Sequence, residues 1–364
     1  MGEVMNNRLG EIPKPSVSVS ELANILESEM FTQPNVELVH KSQPFLSVVL
    51  RTQGQRIEQL RDALLCLSAQ TSDDFELIVV LHNSLGNKIH NVETIIRGFD
   101  ESFVSRTRLL SVEGGSRARP LNVGLDSACG RYIAFFDDDD YLFAHWVESF
   151  KTAEEFAGGK VFRAQCAIVE SAIENWPNDS IGTRSLEWPK MQYPSNFSFV
   201  EHLTVNKTPF MSAAFPVAII RQFNIQFRED LPVCEDWDFL LRVSHKSDVH
   251  DIEEVTSIYR RWVNNRDTSY AKHGISDWQS AEKQIREYWN SRFLILPPGS
   301  VQRLNEIAQS AASVFSIAGK AAAYQQLEQS LYWKILSPLR FARRTVRRLS
   351  SKIAQGIASI IKKL

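Results

Sequence analysis

Four consecutive aspartates, Asp137, Asp138, Asp139 and Asp140, stand directly behind the apolar run Tyr132-Ile133-Ala134-Phe135-Phe136. Carboxylates this close repel one another, so the cluster is costly unless a cation or water compensates it. The apolar run reads as a buried strand, which puts the carboxylates at its carboxyl end, where α/β sheets bind ligands. Grouped hard oxygen ligands suit Mg²⁺ or Mn²⁺, and those ions suit phosphate oxygens. Asp137 and Asp139 point the same way in an extended chain, because side chains alternate with a period of two. The plain alternative is a solvated acidic turn. Upstream, Arg117 and Arg119 lie just before a helix holding Asn122 and Gly124. Guanidinium groups and a helix N-terminus both favour phosphate.

Strands and helices must hold these groups in place. Phe45 to Leu50 reads as a first buried strand, and residues 56–69 as a helix with Ile57, Leu60, Ala63, Leu64 and Leu67 on one face. Residues 75–81 give a second strand, 92–99 a helix, 107–112 a third strand and 120–128 another helix. This alternation predicts an αβα sandwich around a mostly parallel sheet. Residues 150–295 are less regular and hold six of the eight tryptophans, among them Trp188, Trp237, Trp262, Trp278 and Trp289. Aromatic faces beside a nucleotide domain suit an acceptor pocket, with core packing as the alternative.

A chain of 364 residues, 43% hydrophobic and 23% charged, is ordinary for a soluble globular protein. Its four cysteines show no metal-finger spacing and read as reduced thiols of a cytoplasmic protein. No signal peptide and no bilayer-spanning stretch is visible. The net charge of −2 hides an asymmetry: residues 329–364 carry nine Lys and Arg and no acid, leaving 32 basic against 43 acidic residues elsewhere.

Four segments in order resemble the inverting glycosyltransferases of family 2, over roughly residues 44–262. They are LSVVLRTQGQR (46–56), SRARPLNVGL (116–125), GRYIAFFDDDDY (130–141) and LPVCEDWDFLLR (231–242). The resemblance implies a GT-A fold and sugar transfer from a nucleotide-diphospho-sugar donor to a glycan or lipid-linked acceptor, as in bacterial surface polysaccharide synthesis. It implies Mn²⁺ or Mg²⁺ on Asp139, with Asp137 or Asp138 on ribose or metal-bound water; Asp140 reads as a helix cap or a structural residue. Donor contacts would include Thr52, Arg117 and Asn122. Asp236 matches the family's general base, and Glu235 would orient it or share its hydrogen-bond network; both could instead complement a helix dipole. Some relatives place a metal-binding His where His273 stands. The second strand departs from the pattern: the family's base-reading Asp is absent from Leu81-His82-Asn83-Ser84, where His82 or Asn83 could hydrogen-bond a base edge but neither is an acidic acceptor. Arg51-Thr52-Gln53 replaces the usual Pro-Thr-Tyr. A sugar-phosphate nucleotidyltransferase, or a non-catalytic nucleotide-sugar-binding module, is the alternative.

The expected organisation is an N-terminal extension (1–43) and a glycosyltransferase domain (44–295), split into a nucleotide-sugar half (44–145) and an acceptor half (146–295). A helical linker region (296–337) and a basic amphipathic helix (338–364) follow. In that last segment Leu339, Ala342, Val346, Leu349, Ile353, Ile357, Ile360 and Leu364 fall within an arc of about 80° at 100° per residue. Such a C-terminal helical tail can lie on an anionic membrane, which would place the protein peripherally at the inner face of the cell membrane. No nucleic-acid-reading module is present.

Overall fold

A computed structural model describes residues 43–84, 86–175, 181–263 and 272–312. Residues 1–42 of the N-terminal extension, the linker beyond 312 and the basic segment 338–364 lie outside them. Contacts divide the chain into two units, Met1–Pro297 and Pro298–Leu364. In the second, residues 300–312 are helical.

The first unit is built on one twisted sheet. Its strands are β1 (Leu46–Thr52), β2 (Phe75–His82), β3 (Thr107–Val112), β4 (Tyr132–Asp137), β5 (Tyr141–Leu142), β6 (Val161–Asn175), β7 (Ile181–Ser185), β8 (Ala213–Pro216) and β9 (Val249–Trp262). The order is β3-β2-β1-β4-β8-β6-β9-β5, with β7 paired to β6. β3, β2, β1 and β4 run parallel, β8 is antiparallel to both β4 and β6, and β6 and β9 are parallel again.

Alternation along β1 divides the core. Leu46, Val48 and Leu50 pack on one side with Leu60, Ala63, Leu64 and Leu67 of α1 (Ile57–Ser68). Val49 faces the other side, against Leu121 and Leu125 of α4 (Arg119–Ser127). Both faces are covered, which is why the central strands read as unbroken apolar runs. Gly124 lets α4 approach closely, since a Cβ there would fall 2.3 Å from Val49 Cγ1. This is the αβα sandwich expected from the alternation.

The helix expected over 92–99 is instead α2 (Asn87–Arg97), followed by a separate short α3 (Glu101–Ser105). α2 begins earlier because Gly86 turns the chain at φ 61, and its first turn, Asn87-Lys88-Ile89-His90, has Ile89 as its single apolar residue, too weak a signal to mark a helix start. Asp100 caps α3 by accepting from Phe103 N–H at 2.9 Å.

Residues 146–295 add α5 (Trp146–Ala157), α6 (Phe199–His202), α7 (Val217–Gln222), α8 (Glu235–Lys246) and α9 (Ile275–Asn290). Ala281, Ile285 and Trp289 of α9 pack against Trp237 and Leu241 of α8, fixing the helix that carries the second acidic pair.

Candidate active site

β1 and β4 lie side by side at the point where the strand order reverses, and the crevice beyond their carboxyl ends is the expected ligand site. A cleft of about 620 Å³ opens there. Its walls include Thr52, His82, Arg117, the four aspartates, Glu235, Asp236 and His273. Residues distant in sequence thus converge because the sheet register and α8 bring them together.

The register sets Arg51 opposite Asp137. Arg51 Nη2 donates to both oxygens of Asp137, at 2.8 and 3.1 Å, and Nε donates to Oδ1 at 3.0 Å. Its Nη1 donates to Glu235 Oε1 at 2.9 Å and to the Arg117 carbonyl at 2.9 Å. Arg117 Nε reaches the same Glu235 oxygen at 2.7 Å. One residue therefore ties β4, the loop before α4 and the start of α8.

Arg56 pairs with Asp138 and Asp139. Thr52 donates its hydroxyl to Asp138 and accepts from Gly54 N–H at 3.0 Å. Burial pushes the Asp138 carboxyl up to about 6 against the opposing pull of Arg56. Burial likewise raises Asp139, and it raises Asp140 strongly, with the Asp139 charge adding to it. Asp140 accepts from Arg260 N–H at 2.7 Å and is nearly fully buried, a structural position. Arg260 itself donates to the Asp139 carbonyl and lies over the Tyr141 ring at 3.8 Å.

Across the cleft, Glu235 and Asp236 occupy the first turn of α8, where the helix dipole favours negative charge. Cys234, in the left-handed region at φ 64, makes the turn that starts the helix. Burial opposes ionisation of Glu235, yet Arg117 and Arg51 outweigh it and hold its carboxyl below the ordinary range. Asp236 behaves oppositely: burial and then the Glu235 charge push it up to about 6. Its oxygens accept from Trp237 N–H at 2.8 Å and Asn206 Nδ2 at 3.5 Å.

Three expected donor contacts stand differently. Asn122 is turned away from the cleft: its side chain donates to the Phe227 carbonyl at 3.0 Å and accepts Phe227 N–H at 2.7 Å, bracing α4 against the chain before α8. A buried amide satisfied on both edges has little left for a ligand. Asn83, outside the cleft wall, accepts Gly114 N–H at 2.7 Å. Arg119 lies 3.9 Å from Glu229 and is half exposed. His273 reaches the cleft, with Nδ1 3.2 Å from Asp277. Of the tryptophans, Trp237, Trp262 and Trp278 line the cleft and Trp289 is core, whereas Trp188 is 88% exposed. Trp176 lies outside the described residues.

Sequence reasoning missed Arg51 and Arg56 as partners of the aspartates. The available signal was the repulsion itself: a carboxylate cluster at the end of β4 calls for compensating charge, and β1 with the turn after it supplies Arg51 and Arg56.

The fold and the cleft define a glycosyltransferase. Residues 47–216, a little under half of the chain, match the model for Glycosyl transferase family 2. An uncharacterized glycosyltransferase of Methanocaldococcus jannaschii, MJ1057, is 28% identical over 233 residues, covering 62% of this chain and 72% of that one. Among solved structures, S. aureus TarS 1-349 in complex with UDP is 17% identical, covers 66% of this chain and has a TM-score of 0.47. That match spans 64% of the TarS chain, a little under two thirds of it. The Pyrobaculum calidifontis mannosyltransferase PcManGT, in complex with GDP-Man and Mn²⁺, is 14% identical over 88% of this chain and 87% of that chain, with a TM-score of 0.49.

Proposed function

We propose that this protein transfers a sugar, with inversion, from a nucleotide-diphospho-sugar to a hydroxyl of a glycan or lipid-linked acceptor. The observation that carries the reading is the pair of opposed walls: Asp137 to Asp139 on one side, and on the other Asp236, held at about 6 beside an ionised Glu235. Two carboxyls whose environments drive them apart mark an acid–base assignment.

Asp236 takes the proton from the acceptor hydroxyl as that oxygen attacks the anomeric carbon from the face opposite the leaving group. The bond from that carbon to the diphosphate oxygen breaks, and the diphosphate leaves with the electron pair. Arg117 stands on the cleft wall where it can meet the developing charge. Glu235, fixed by two guanidiniums, keeps Asp236 basic enough to act near neutral pH.

No group of three or more His, Cys, Asp or Glu side chains among the described residues could by itself enclose a metal ion. Mg²⁺ needs none, since it commonly takes one or two carboxylates and completes its shell with phosphate oxygens and water. Asp139 and Asp137 offer hard oxygen donors on the cleft wall and fit that demand, with His273 in reach of the same cleft. A Mg²⁺ or Mn²⁺ ion bound there supplies neutralisation of the leaving diphosphate.

A screen of nucleotide sugars with Mn²⁺ or Mg²⁺, read by thermal shift and nucleotide release, tests the reading. Asp139→Asn is expected to abolish the metal-enhanced part of nucleotide binding while the protein stays folded, because it relieves clustered charge. Equal affinity in both proteins with metal present would remove Asp139 from the donor site.

A further inference from the structure

We propose that Arg56 occupies the place of the divalent cation on Asp138 and Asp139 while the donor is absent, and gives it up when cation and diphosphate arrive together. The inference rests on the nucleotide-donor reading of the cleft and adds a control on how that donor binds.

The two arginines that serve the aspartates are held in different ways. Arg51 is 11% exposed, and besides Asp137 it donates to Glu235 Oε1 and to the Arg117 carbonyl. Moving it would strand Asp137, Glu235 and that carbonyl together, so it is a fixed counter-ion. Arg56 is 22% exposed and stands between β1 and α1 on the cleft wall. Its guanidinium donates to Asp138 Oδ1 and Asp139 Oδ2 and, among the described residues, to no other acceptor. Charge alone holds it there, at the end of a long side chain that borders open space.

The oxygens it covers are ones a metal needs. Arg51 takes both oxygens of Asp137, and Thr52 takes Asp138 Oδ2. With Arg56 in place, Asp139 Oδ1 is the oxygen of these three carboxylates that accepts no hydrogen bond among the described residues. One free oxygen is a weak hold on a strongly hydrated dication. The guanidinium also sets a positive charge beside the place the dication would take, and like charges that close repel.

Withdrawal of Arg56 removes both obstacles at once. The freed guanidinium then needs an anion, and its planar fork matches phosphate oxygens. A diphosphate in the cleft takes up Arg56 while the cation takes up the aspartates. By linkage, each then raises the affinity of the other by the same factor.

Equilibrium dialysis of the full-length protein against Mn²⁺, with and without UDP, GDP, CDP or dTDP, tests this. Wild type is expected to retain Mn²⁺ about tenfold more tightly with the nucleotide that binds than without it, an ordinary coupling between two sites. Arg56→Gln removes the competing charge, so it should hold Mn²⁺ alone about tenfold more tightly than wild type and gain less from the nucleotide. Melting gives an independent reading. Without metal Arg56→Gln should melt below wild type, because the buried Asp138 loses its cation, and Mn²⁺ alone should restore the difference. Wild type should melt alike with and without Mn²⁺ alone. If Arg56→Gln does not fold without metal, Arg56→Lys serves instead: its compact charge lacks the bridging fork, and its Mn²⁺ affinity should still exceed that of wild type. Mn²⁺ held as tightly by wild type alone as with nucleotide, or no more tightly by the variants than by wild type, would overturn the exchange and leave the donor site standing. If no nucleoside diphosphate binds in the presence of Mn²⁺, the donor reading falls, and the diphosphate half of this inference with it.

Discussion

Asp236 and Glu235 are neighbours in sequence with opposite electrostatic fates, and the cause is which of them the arginines reach. Glu235 turns into Arg51 and Arg117 and stays ionised, while Asp236 faces the cleft, partly buried beside that fixed charge. In the proposed role of base Asp236 must be unprotonated to act, so its working form would prevail above about 6 and be lost below it. We expect kcat/KM to fall about tenfold per pH unit on the acid side of that value. Asp236→Asn should lower kcat by ~10²–10⁴-fold with little change in donor affinity. Stability supplies an independent sign. A carboxyl whose folded pKa exceeds its unfolded one binds more protons when folded, so its ionisation destabilises the fold as pH rises through that window. Asp236→Asn should therefore melt a few degrees above wild type at pH 8, with the gap closing toward pH 4. Near-normal turnover in the variant would make the residue a helix-terminal charge and nothing more.

At the level of elements, Arg51 links β1, β4 and α8 through side chains 86 and 184 residues apart in the chain. Its guanidinium is largely buried, as is the Glu235 carboxylate it meets. Arg51→Met leaves the buried Glu235 carboxylate with Arg117 as its single cation and removes the partner of Asp137, so the urea midpoint should fall. Adding Glu235→Gln should restore part of the loss because the under-compensated charge is gone. A double variant no more stable than the single one would mean that the Asp137 contact carries the effect. The same bridge shows why the site was only half legible. Asp137 to Asp140 and Glu235-Asp236 announce themselves by adjacency, and the strand ahead of the aspartates by its unbroken apolar run. The pairings of Arg51 and Arg56 depend on strand order and register, which no local pattern encodes. Asn122 misled for a related reason: its position in the segment is right, but the chain near Phe227 claims both edges of its amide. The sheet itself was readable as far as β4, where strand and helix alternate. Beyond it β6, β8 and β9 mix directions and α9 gives little local signal of its partner, so residues 146–295 were not.

For the whole molecule, charge is the property that joins the catalytic domain to a location. Nine basic and no acidic residues fall in 329–364, so the rest of the chain carries 32 basic against 43 acidic groups. A body of net −11 is repelled by an anionic surface, and attachment needs a local device that overrides the repulsion. Among the described residues no helix is long and apolar enough to cross a membrane. Residues 338–364 have the sequence pattern of an interfacial helix, an apolar stripe with Arg340, Arg344, Arg347, Arg348 and Lys352 on the other faces. Each Lys or Arg near an anionic leaflet contributes roughly 1 kcal/mol, and the contribution fades within a Debye length. Attachment would also raise the effective concentration of a lipid-linked acceptor at the cleft. The full-length protein is therefore expected to cosediment with vesicles rich in phosphatidylserine at low salt and to be largely released at high salt. Deleting 338–364 should abolish cosedimentation while leaving donor hydrolysis in solution unchanged, since the cleft is built entirely from the first unit. If the full-length protein stays in the supernatant at low salt, the stripe is not a membrane anchor, and its apolar face must be covered by protein instead.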